Sequence, residues 1–361
     1  MNPTLTLRAL RATPALVPLP TPLRTASGVI AASPLVLIDL ETDAGLTGHA
    51  YLMGYTPLTL KPLVQLLDAL AGELVGSPIA PEHLSRRLAA RFRLLGTAGL
   101  LGMALAGIEM AAWDVLAKAA NLPLYALLGG EARPIRAYAS FGMDGIELGQ
   151  RLAGDAVAQG FRAVKIKAGY PTLAEDLAVI RAVRAAIGPD VELMVDFNQS
   201  LTVPEAIRRG QALDEEGLAW IEEPVLQDDY AGHARVAAAI RTPLQLGENW
   251  YGLREMTLAL DLSACDLVMP DIMKIGGVGA WRAAATLAAT RSLPVSSHLF
   301  HEVTAHLMCV IDSPHYLEVM ELAAAVLAEP MRFANGQPVL PARPGNGLSW
   351  QADAVARYRL D

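Results

Sequence analysis

The stretch from Phe161 to Tyr170 reads FRAVKIKAGY, and its centre, Val164–Lys167, alternates apolar and basic side chains. Because successive side chains of a strand point to opposite faces, Lys165 and Lys167 point one way and the two apolar residues point the other. Two lysines on one face indicate either a solvent-exposed strand face or a site that uses positive charge. The rest of the chain distinguishes between these alternatives.

The bulk composition predicts an ordered protein with more than one domain. The chain has 361 residues, which is long for a single hydrophobic core, and its 18% charged content is too low for a disordered chain. A net charge of −8 gives no support for nucleic acid or an anionic membrane surface as a partner. The two cysteines, Cys265 and Cys309, lie in apolar stretches, which favours free thiols in a reducing compartment.

The N-terminal residues lack the pattern of a secretory signal peptide, because Arg8, Arg11 and several prolines interrupt any apolar run. No uninterrupted apolar run reaches the length of a membrane span. We therefore expect a soluble, cytoplasmic protein.

Residues 1–130 predict an α+β domain, with strands first and helices after them. Three segments with two-residue alternation predict a small antiparallel meander: Leu5–Thr13, Leu35–Thr42 and Leu46–Leu52. Residues 21–34 lie between the first two of these strands and are rich in Thr, Ser, Gly and Ala. We expect them to form a long loop that acts as a lid. From Leu58 to about Ala120 the apolar periodicity is helical.

Residues 131–325 predict a (β/α)8 barrel, because short apolar strands alternate with amphipathic helices at the spacing of βα units. The eight expected strands are Ile135–Ser140, Ala163–Lys167, Glu192–Asp196, Trp220–Glu222, Leu244–Glu248, Leu267–Met269, Val295–Ser297 and Tyr316–Glu318. No GxGxxG motif follows the first of them, so a dinucleotide-binding fold has little support. Residues 326–361 break this rhythm with a hairpin signal at Asn335-Gly336, and we expect them to pack against the N-terminal meander.

Ionisable residues stand at the carboxyl ends of the predicted strands, and barrel enzymes build their active sites at that rim. From the second strand to the eighth, these residues are Lys165 and Lys167, Asp196, Glu222 with Glu223, Glu248, Asp271, His298 and Glu318. One charged strand end carries little information, but seven in succession are a strong indication of a site.

Asp196, Glu222 and Glu248 follow three adjacent strands and should converge. Three carboxylates in one place repel one another unless a cation lies between them, and oxygen ligands with room for water suit Mg²⁺ better than Zn²⁺. The structural alternative is a ring of salt bridges to Lys165, Lys167 and Lys274. Only one of Glu222 and Glu223 is expected in the site, because neighbouring strand residues face opposite ways.

His298 and the two lysines predict a pair of bases on opposite sides of the cation. Asp271, on the preceding strand end, would fix the tautomer of His298 and raise its basicity. Neighbouring positive charge would lower the pKa of a lysine toward the range of a base. Such a layout serves removal of a proton next to a carboxylate, with Lys165 on the substrate carboxylate and a protonated Glu318 as a hydrogen-bond donor to it.

The chain resembles the enolase superfamily, specifically its mandelate racemase group. The resemblance is densest in Gly160–Tyr170, Met194–Ser200, Trp220–Pro224, Gly247–Trp250, Met269–Gly277 and Ser296–Phe300. It implies a modified barrel of the (β/α)7β type, an N-terminal capping domain, and a C-terminal segment that returns to the cap. It also implies a homo-oligomer, with an octamer among the arrangements.

The resemblance implies roles for individual residues. Asp196, Glu222 and Glu248 match the Mg²⁺ ligands, with Mn²⁺ as an alternative ion. Lys167 matches the base for one enantiomer and His298, oriented by Asp271, the base for the other. Lys165 and Glu318 match the groups that bind the substrate carboxylate. Positions that match the substrate pocket are Ser140, Asn198, Tyr55, Leu23, Ile30, Met53, Leu299 and Met320.

The expected function is therefore a Mg²⁺-dependent racemase acting on a hydrophobic 2-hydroxy acid, a small-molecule carboxylate. An acid-sugar dehydratase would use the same bases, but Leu23, Ile30 and Met53 offer no polar groups to a sugar acid. A barrel that only binds ligands is the third alternative, and the full set of ionisable groups argues against it.

Overall fold

The computed structural model describes residues 5–26 and 28–360. Residues 1–4, Ser27 and Asp361 lie outside the described residues. One position of the expected lid and the two outer ends of the expected domains therefore lie outside them as well. The chain begins with an antiparallel sheet in the order β1-β2-β3. Its strands are β1 (Leu7–Thr25), β2 (Gly28–Thr42) and β3 (Thr47–Met53).

The expected loop at residues 21–34 is instead the distal part of a β1–β2 hairpin. Leu23 pairs with Ile30 and Arg24 with Val29, so ladder pairing continues nearly to the turn. The prediction was wrong because small and polar residues were taken as a loop signal, whereas pairing between two strands satisfies their backbone groups. The ladder has one irregularity, since Pro18 pairs with Ala32 and residues 19–22 then oppose a single residue of β2.

Helices follow the sheet, in the expected region. They are α1 (Leu60–Leu74), α2 (Pro81–Arg91), α3 (Gly99–Ala119) and α4 (Leu124–Leu127), preceded by a 3₁₀ turn at Pro57–Thr59. By length and composition α3 could cross a membrane, but Glu109 and Asp114 interrupt its apolar run and 78% of its most apolar stretch is buried within the fold. Core helices meet the same two criteria, so α3 is weak evidence for a membrane.

Seven parallel strands form the barrel, in the order β10-β4-β5-β6-β7-β8-β9. They are β4 (Ala137–Ser140), β5 (Ala163–Lys167), β6 (Glu192–Asp196), β7 (Ile221–Glu222), β8 (Leu244–Leu246), β9 (Leu267–Val268) and β10 (Leu317–Val319). The expected strand Val295–Ser297 is present only as isolated bridges, from Val295 to Val268 and from Val295 to Pro314. This segment nevertheless lies between β9 and β10 and completes the ring, as in the expected (β/α)7β barrel.

Helices connect the strands on the outside of the barrel. They are α5 (Gly145–Ala158), α6 (Leu173–Ile187), α7 (Val203–Leu213), α8 (Tyr230–Ala237), α9 (Leu253–Asp261), α10 (Ile272–Ile275), α11 (Gly277–Ala289) and α12 (His301–Met308). The α6 helix shows why the sequence forms these elements. Thr172 and Glu175 close a capping box at its start, and Gly188, at φ 82°, ends it.

The C-terminal segment returns to the N-terminal domain. After the hairpin β11 (Arg332–Ala334) and β12 (Gln337–Val339) it ends in α13 (Ala352–Tyr358). The backbone N–H of Asn346 donates to buried Asp114 of α3 at 2.7 Å, and the indole of half-buried Trp350 donates to half-buried Asp39 of β2 at 2.7 Å. These polar contacts join the C-terminal segment to the N-terminal domain.

Glu109 of α3 joins the N-terminal domain to the barrel. Its carboxylate accepts the backbone N–H groups of Val278 and Gly279, at 2.7 and 2.8 Å, where α11 begins. A carboxylate at a helix N-terminus satisfies free amides and complements the helix dipole. The position of the cap over the barrel is therefore fixed by buried hydrogen bonds as well as by apolar packing.

Candidate active site

A cavity of about 540 Å³ lies at the carboxyl ends of the barrel strands, beneath the β1–β2 hairpin. Most of the residues expected in the site line it: Leu23, Ile30, Met53, Tyr55, Lys167, Asn198, Glu248, His298, Leu299, Glu318 and Met320. Its size is in the range of small-molecule sites.

Asp196, Glu222 and Glu248 converge as expected, with one carboxylate oxygen of each lying within 4.8 Å of the others. Asp196 and Glu222 are register partners on β6 and β7, and Glu248 follows β8. All three are buried. The three oxygens form a compact set of hard ligands suited to Mg²⁺.

The charge balance of the site also favours a divalent cation. The site holds six buried carboxyl groups and only three buried lysines, Lys165, Lys167 and Lys274. The carboxyl groups are Asp196, Glu222, Glu223, Glu248, Asp271 and Glu318. Burial raises the pKa of Glu222 to about 8; Asp196, Glu248 and Glu318 add to the rise, and Lys165 opposes it. A cation between the three carboxylates would oppose this rise in the pKa of Glu222.

The two lysines of β5 make the salt bridges that the structural alternative anticipated. Lys165 contacts Glu222 and lies 2.9 Å from Glu318, and Lys167 lies 2.5 Å from Asp196. Lys274 departs from that alternative, since it donates to Asn249 at 2.5 Å and lies over the Tyr55 ring.

The expected lowering of the lysine pKa values counted the metal as well as the neighbouring lysine, and the groups of the protein alone do not produce it. Burial acts to lower the pKa of Lys167, and so does Lys165, but Asp196 and Glu248 outweigh them and the net pKa is raised. The pKa of Lys165 is raised well above its ordinary value, because Glu222 and Glu318 outweigh the effect of burial. Sequence reasoning counted the neighbouring cations and missed how closely each lysine would approach a carboxylate.

His298 is held as expected by Asp271, with 2.7 Å between Nδ1 and Oδ2. On its other side, Nε2 lies 3.3 Å from Glu248 and 3.9 Å from Glu318. Burial acts to lower the pKa of His298, but Glu248, the hydrogen bond that Nδ1 donates to Asp271, and Glu318 raise it, and the net pKa is raised.

The pKa of Glu318 is lowered, which argues against the expected protonated donor. Burial raises the pKa of Glu318, but the positive charges of Lys165 and His298 lower it by more than burial raises it. The backbone N–H of Leu299 also donates to the carboxylate, at 2.9 Å. The net pKa is well below the usual range, because both favourable charges lie close to this carboxylate.

Asn198 and Ser140 are placed differently from each other. Asn198 donates to Asp196 from its backbone and side chain, at 2.7 and 3.0 Å, and its buried Oδ1 has no hydrogen-bond partner among the residues that the structure describes. Ser140 lines a neighbouring cavity of about 300 Å³, and within residues 5–26 and 28–360 its buried hydroxyl has no partner either. Of these two residues, Asn198 is the one that contacts an expected metal ligand, Asp196, and also lines the main cavity.

Sequence reasoning missed the residues beneath Glu222. The indole of Trp220 and the amide of Gln245 donate to Glu222 Oε2, at 3.1 and 3.3 Å, and Ser296 donates to Gln245 Oε1 at 3.2 Å. Groups behind a metal ligand fix its orientation. A signal existed, because Gln245 is a polar residue in the middle of an apolar barrel strand.

Glu223 lies beside the ligand set, as the alternation argument expected. Asn249 donates to it at 2.6 Å and also contacts Glu248 at 3.3 Å. Burial raises the pKa of Glu223 well above its usual value, with Glu248 and Asp196 adding to the rise.

The site is thus a carboxylate cluster suited to Mg²⁺, flanked by lysines and a histidine–aspartate pair, and it defines a barrel enzyme of the acid–base class. Two family descriptions match the chain: "Mandelate racemase / muconate lactonizing enzyme, N-terminal domain" over residues 8–129 and "Enolase C-terminal domain-like" over residues 149–354. The protein belongs to the enolase superfamily, in its mandelate racemase group.

Three similar proteins illustrate the range of the family. D-galactarolactone cycloisomerase of Agrobacterium fabrum is 34% identical over 95% of this chain and 96% of its own length. L-talarate/galactarate dehydratase of Salmonella typhimurium is 32% identical over 80% of this chain and 73% of its own. A Bradyrhizobium enolase, solved with magnesium and mandelic acid, is 45% identical with a TM-score of 0.96, and all of both chains is covered.

Proposed function

We propose that the protein is a Mg²⁺-dependent racemase of a hydrophobic 2-hydroxy acid. The observation that carries the proposal is the placement of two bases at one cavity. Lys167 ends β5, and His298 lies in the segment that closes the ring between β9 and β10. Both line the main cavity, and two elements of the ring separate them on one side and four on the other, which supports approach to the substrate from two sides.

This arrangement suits removal of an α-proton on one face of the substrate and its return on the other. When bound at Asp196, Glu222 and Glu248, Mg²⁺ would offset the charge that develops on the substrate carboxylate. Lys165, held between Glu222 and Glu318, would bind that carboxylate from the protein side. With Asp196 engaged as a ligand, its hold on the Lys167 proton weakens, which favours Lys167 as a base.

The lining of the cavity supports an apolar substituent. The N-terminal sheet contributes three apolar side chains to the lining, and the barrel contributes two. They are Leu23, Ile30 and Met53 from the sheet, and Leu299 and Met320 from the barrel. The Bradyrhizobium enolase, which is 45% identical over the whole chain, was solved with magnesium and mandelic acid. This likeness supports a hydrophobic 2-hydroxy acid as the substrate.

An acid-sugar dehydratase is the second candidate. Gln199, Asn249 and Lys274 line the same cavity and offer polar groups to a hydroxylated substrate. The likeness to the Salmonella dehydratase points the same way.

Incubation of each enantiomer of several aryl and alkyl 2-hydroxy acids with Mg²⁺ in D₂O tests the proposal. We expect racemisation with α-deuterium incorporation, lost on chelation and restored by Mg²⁺. Absence of both across the panel, with a 2-keto acid formed from a sugar acid, would establish the dehydratase instead.

We also propose that the protein works as a homo-oligomer. Leu94 and Leu95, between α2 and α3, are largely exposed, and large apolar side chains of this kind are often covered by a second copy. Light scattering after gel filtration tests this, and a monomeric mass at micromolar concentration would refute it.

A further inference from the structure

A second cavity of about 300 Å³ adjoins the catalytic cavity. Leu23 of β1 and Met320, which follows β10, line both cavities. These two side chains therefore form a partition between the catalytic cavity and the second one. Both are only half-buried, and neither side chain is branched at Cβ.

The irregularity in the β1–β2 ladder builds one wall of the second cavity. Residues 19–22 leave the ladder between the pairs Pro18–Ala32 and Leu23–Ile30, and all four of them line the cavity. Pro20 and Pro22 have no backbone N–H, so the unpaired stretch leaves few donors unsatisfied. The hairpin is held in place here, because the Met143 N–H donates to the Arg24 carbonyl at 2.8 Å.

The opposite wall is largely apolar, with Phe141, Leu152, Ala156 and Phe161 among its residues. Among the described residues, the charged ones that line the cavity are acidic: Asp155, Glu321 and Asp144, the last of which lies 3.4 Å from Arg24. This lining suits a neutral apolar group and would repel a second carboxylate.

We propose that the second cavity is a subsite for the far end of the substrate, with Leu23 and Met320 as the gate. The inference rests on the proposed function and specifies its substrate class: 2-hydroxy acids with one carboxylate and an extended neutral substituent, longer than a single ring. An apolar cavity of about 150 Å³ is enough to hold benzene, so the second cavity has room for one further ring.

The test compares mandelate with 4-phenylmandelate, which adds one neutral ring. Ala156→Leu places bulk in the second cavity without touching the catalytic cavity, and Ala158→Leu, an exposed position on the same helix, is the matched control. We expect Ala156→Leu to lower kcat/KM for 4-phenylmandelate by about tenfold or more and to leave mandelate unchanged. Met320→Ala opens the gate and should raise the ratio of the two kcat/KM values in favour of 4-phenylmandelate.

Dissociation constants from calorimetry separate this inference from the proposed function. If both acids bind and Ala156→Leu weakens the binding of 4-phenylmandelate alone, the subsite is supported even when neither acid is turned over. Lack of turnover would then refute only the racemase proposal. If mandelate is racemised but neither variant changes the preference between the two acids, the subsite is refuted. Thermal unfolding of Ala156→Leu verifies that the variant is folded, and Met320→Ala gives an independent answer if it is not.

Discussion

The carboxylate of Asp271 is shared between His298 and the start of α10. Its Oδ2 lies 2.7 Å from His298 Nδ1, while its Oδ1 accepts the backbone N–H groups of Met273 and Lys274 at 2.8 and 2.9 Å. The helix thus fixes the carboxylate, and the carboxylate fixes the ring. With Nδ1 as the donor, Nε2 is the atom left to exchange a proton in the cavity.

Asp271→Asn should abolish the part of the reaction that uses His298. Asparagine has one carbonyl oxygen and one NH2 group. With the oxygen kept on the N–H groups of Met273 and Lys274, the NH2 group faces His298 Nδ1 and no longer favours the tautomer with Nδ1–H. We expect a loss of about 10²- to 10⁴-fold in kcat for the enantiomer that His298 deprotonates. Steady-state racemisation followed by polarimetry measures this, and Asp266→Asn, a substitution outside the cavity, is a control. Unchanged kcat would mean that His298 is not a base.

The two bases can be separated by isotope exchange. Lys167→Ala and His298→Asn should each stop racemisation, yet each should still exchange the α-proton of one enantiomer, and the two variants should prefer opposite ones. The reason is that each base reaches only one face of the substrate. Proton NMR in D₂O gives the exchange rates.

Lys61→Ala, at an exposed lysine of α1, is the matched control for these variants. Exchange of the same enantiomer by both active-site variants would contradict the assignment of opposite faces.

Gln245→Leu should weaken metal binding without touching a ligand. The variant removes one of the two side-chain donors to Glu222 Oε2 and leaves Trp220 as the other. Loss of a group behind a ligand typically costs about 10- to 100-fold in metal affinity. Titration with Mn²⁺ followed by electron paramagnetic resonance measures it directly.

Gln211→Leu, at an exposed glutamine of α7, provides the comparison. Equal Mn²⁺ affinity in the Gln245 variant and the native protein would show that Gln245 does not orient Glu222, which would then be held by Trp220 and Lys165.

His306 should make the fold sensitive to acid. It accepts from the Tyr125 N–H at 3.3 Å and contacts the Asn346 carbonyl at 3.1 Å, and burial lowers its pKa to about 4. The ordinary pKa is about 6.5, so between these values the unfolded chain binds a proton that the folded chain does not. The contribution to stability is therefore complete above pH 6.5 and is lost as the pH falls toward 4.

His306→Gln should reduce the loss of unfolding free energy between pH 6.5 and 4, by up to about 3 kcal/mol, because glutamine does not titrate. Urea unfolding at several pH values measures the slope, with His83→Gln at an exposed position of α2 as the control. An unchanged slope would assign the acid sensitivity to other groups, such as His233 and His315, whose pKa values burial also lowers to about 4.

Much of the barrel and its site followed from local pattern. Lys165 and Lys167 share a face because strands have a two-residue period, and the convergence of Asp196, Glu222 and Glu248 follows from parallel neighbours ending at one rim. Gln245 was missed because its partner, Glu222, lies on another strand. The distal part of the β1–β2 hairpin was missed because small and polar residues favour both loops and the ends of paired strands.

The sequence by itself determined which chemical groups stand at the strand ends, since that depends only on residue type and on the spacing of strands and helices. Only the tertiary structure decided their protonation, because the pKa of Glu318 depends on Lys165 and His298, which reach it from distant parts of the chain. The same holds for the second cavity and its partition. Leu23 and Met320 are nearly 300 residues apart, and only folding places them on either side of one opening.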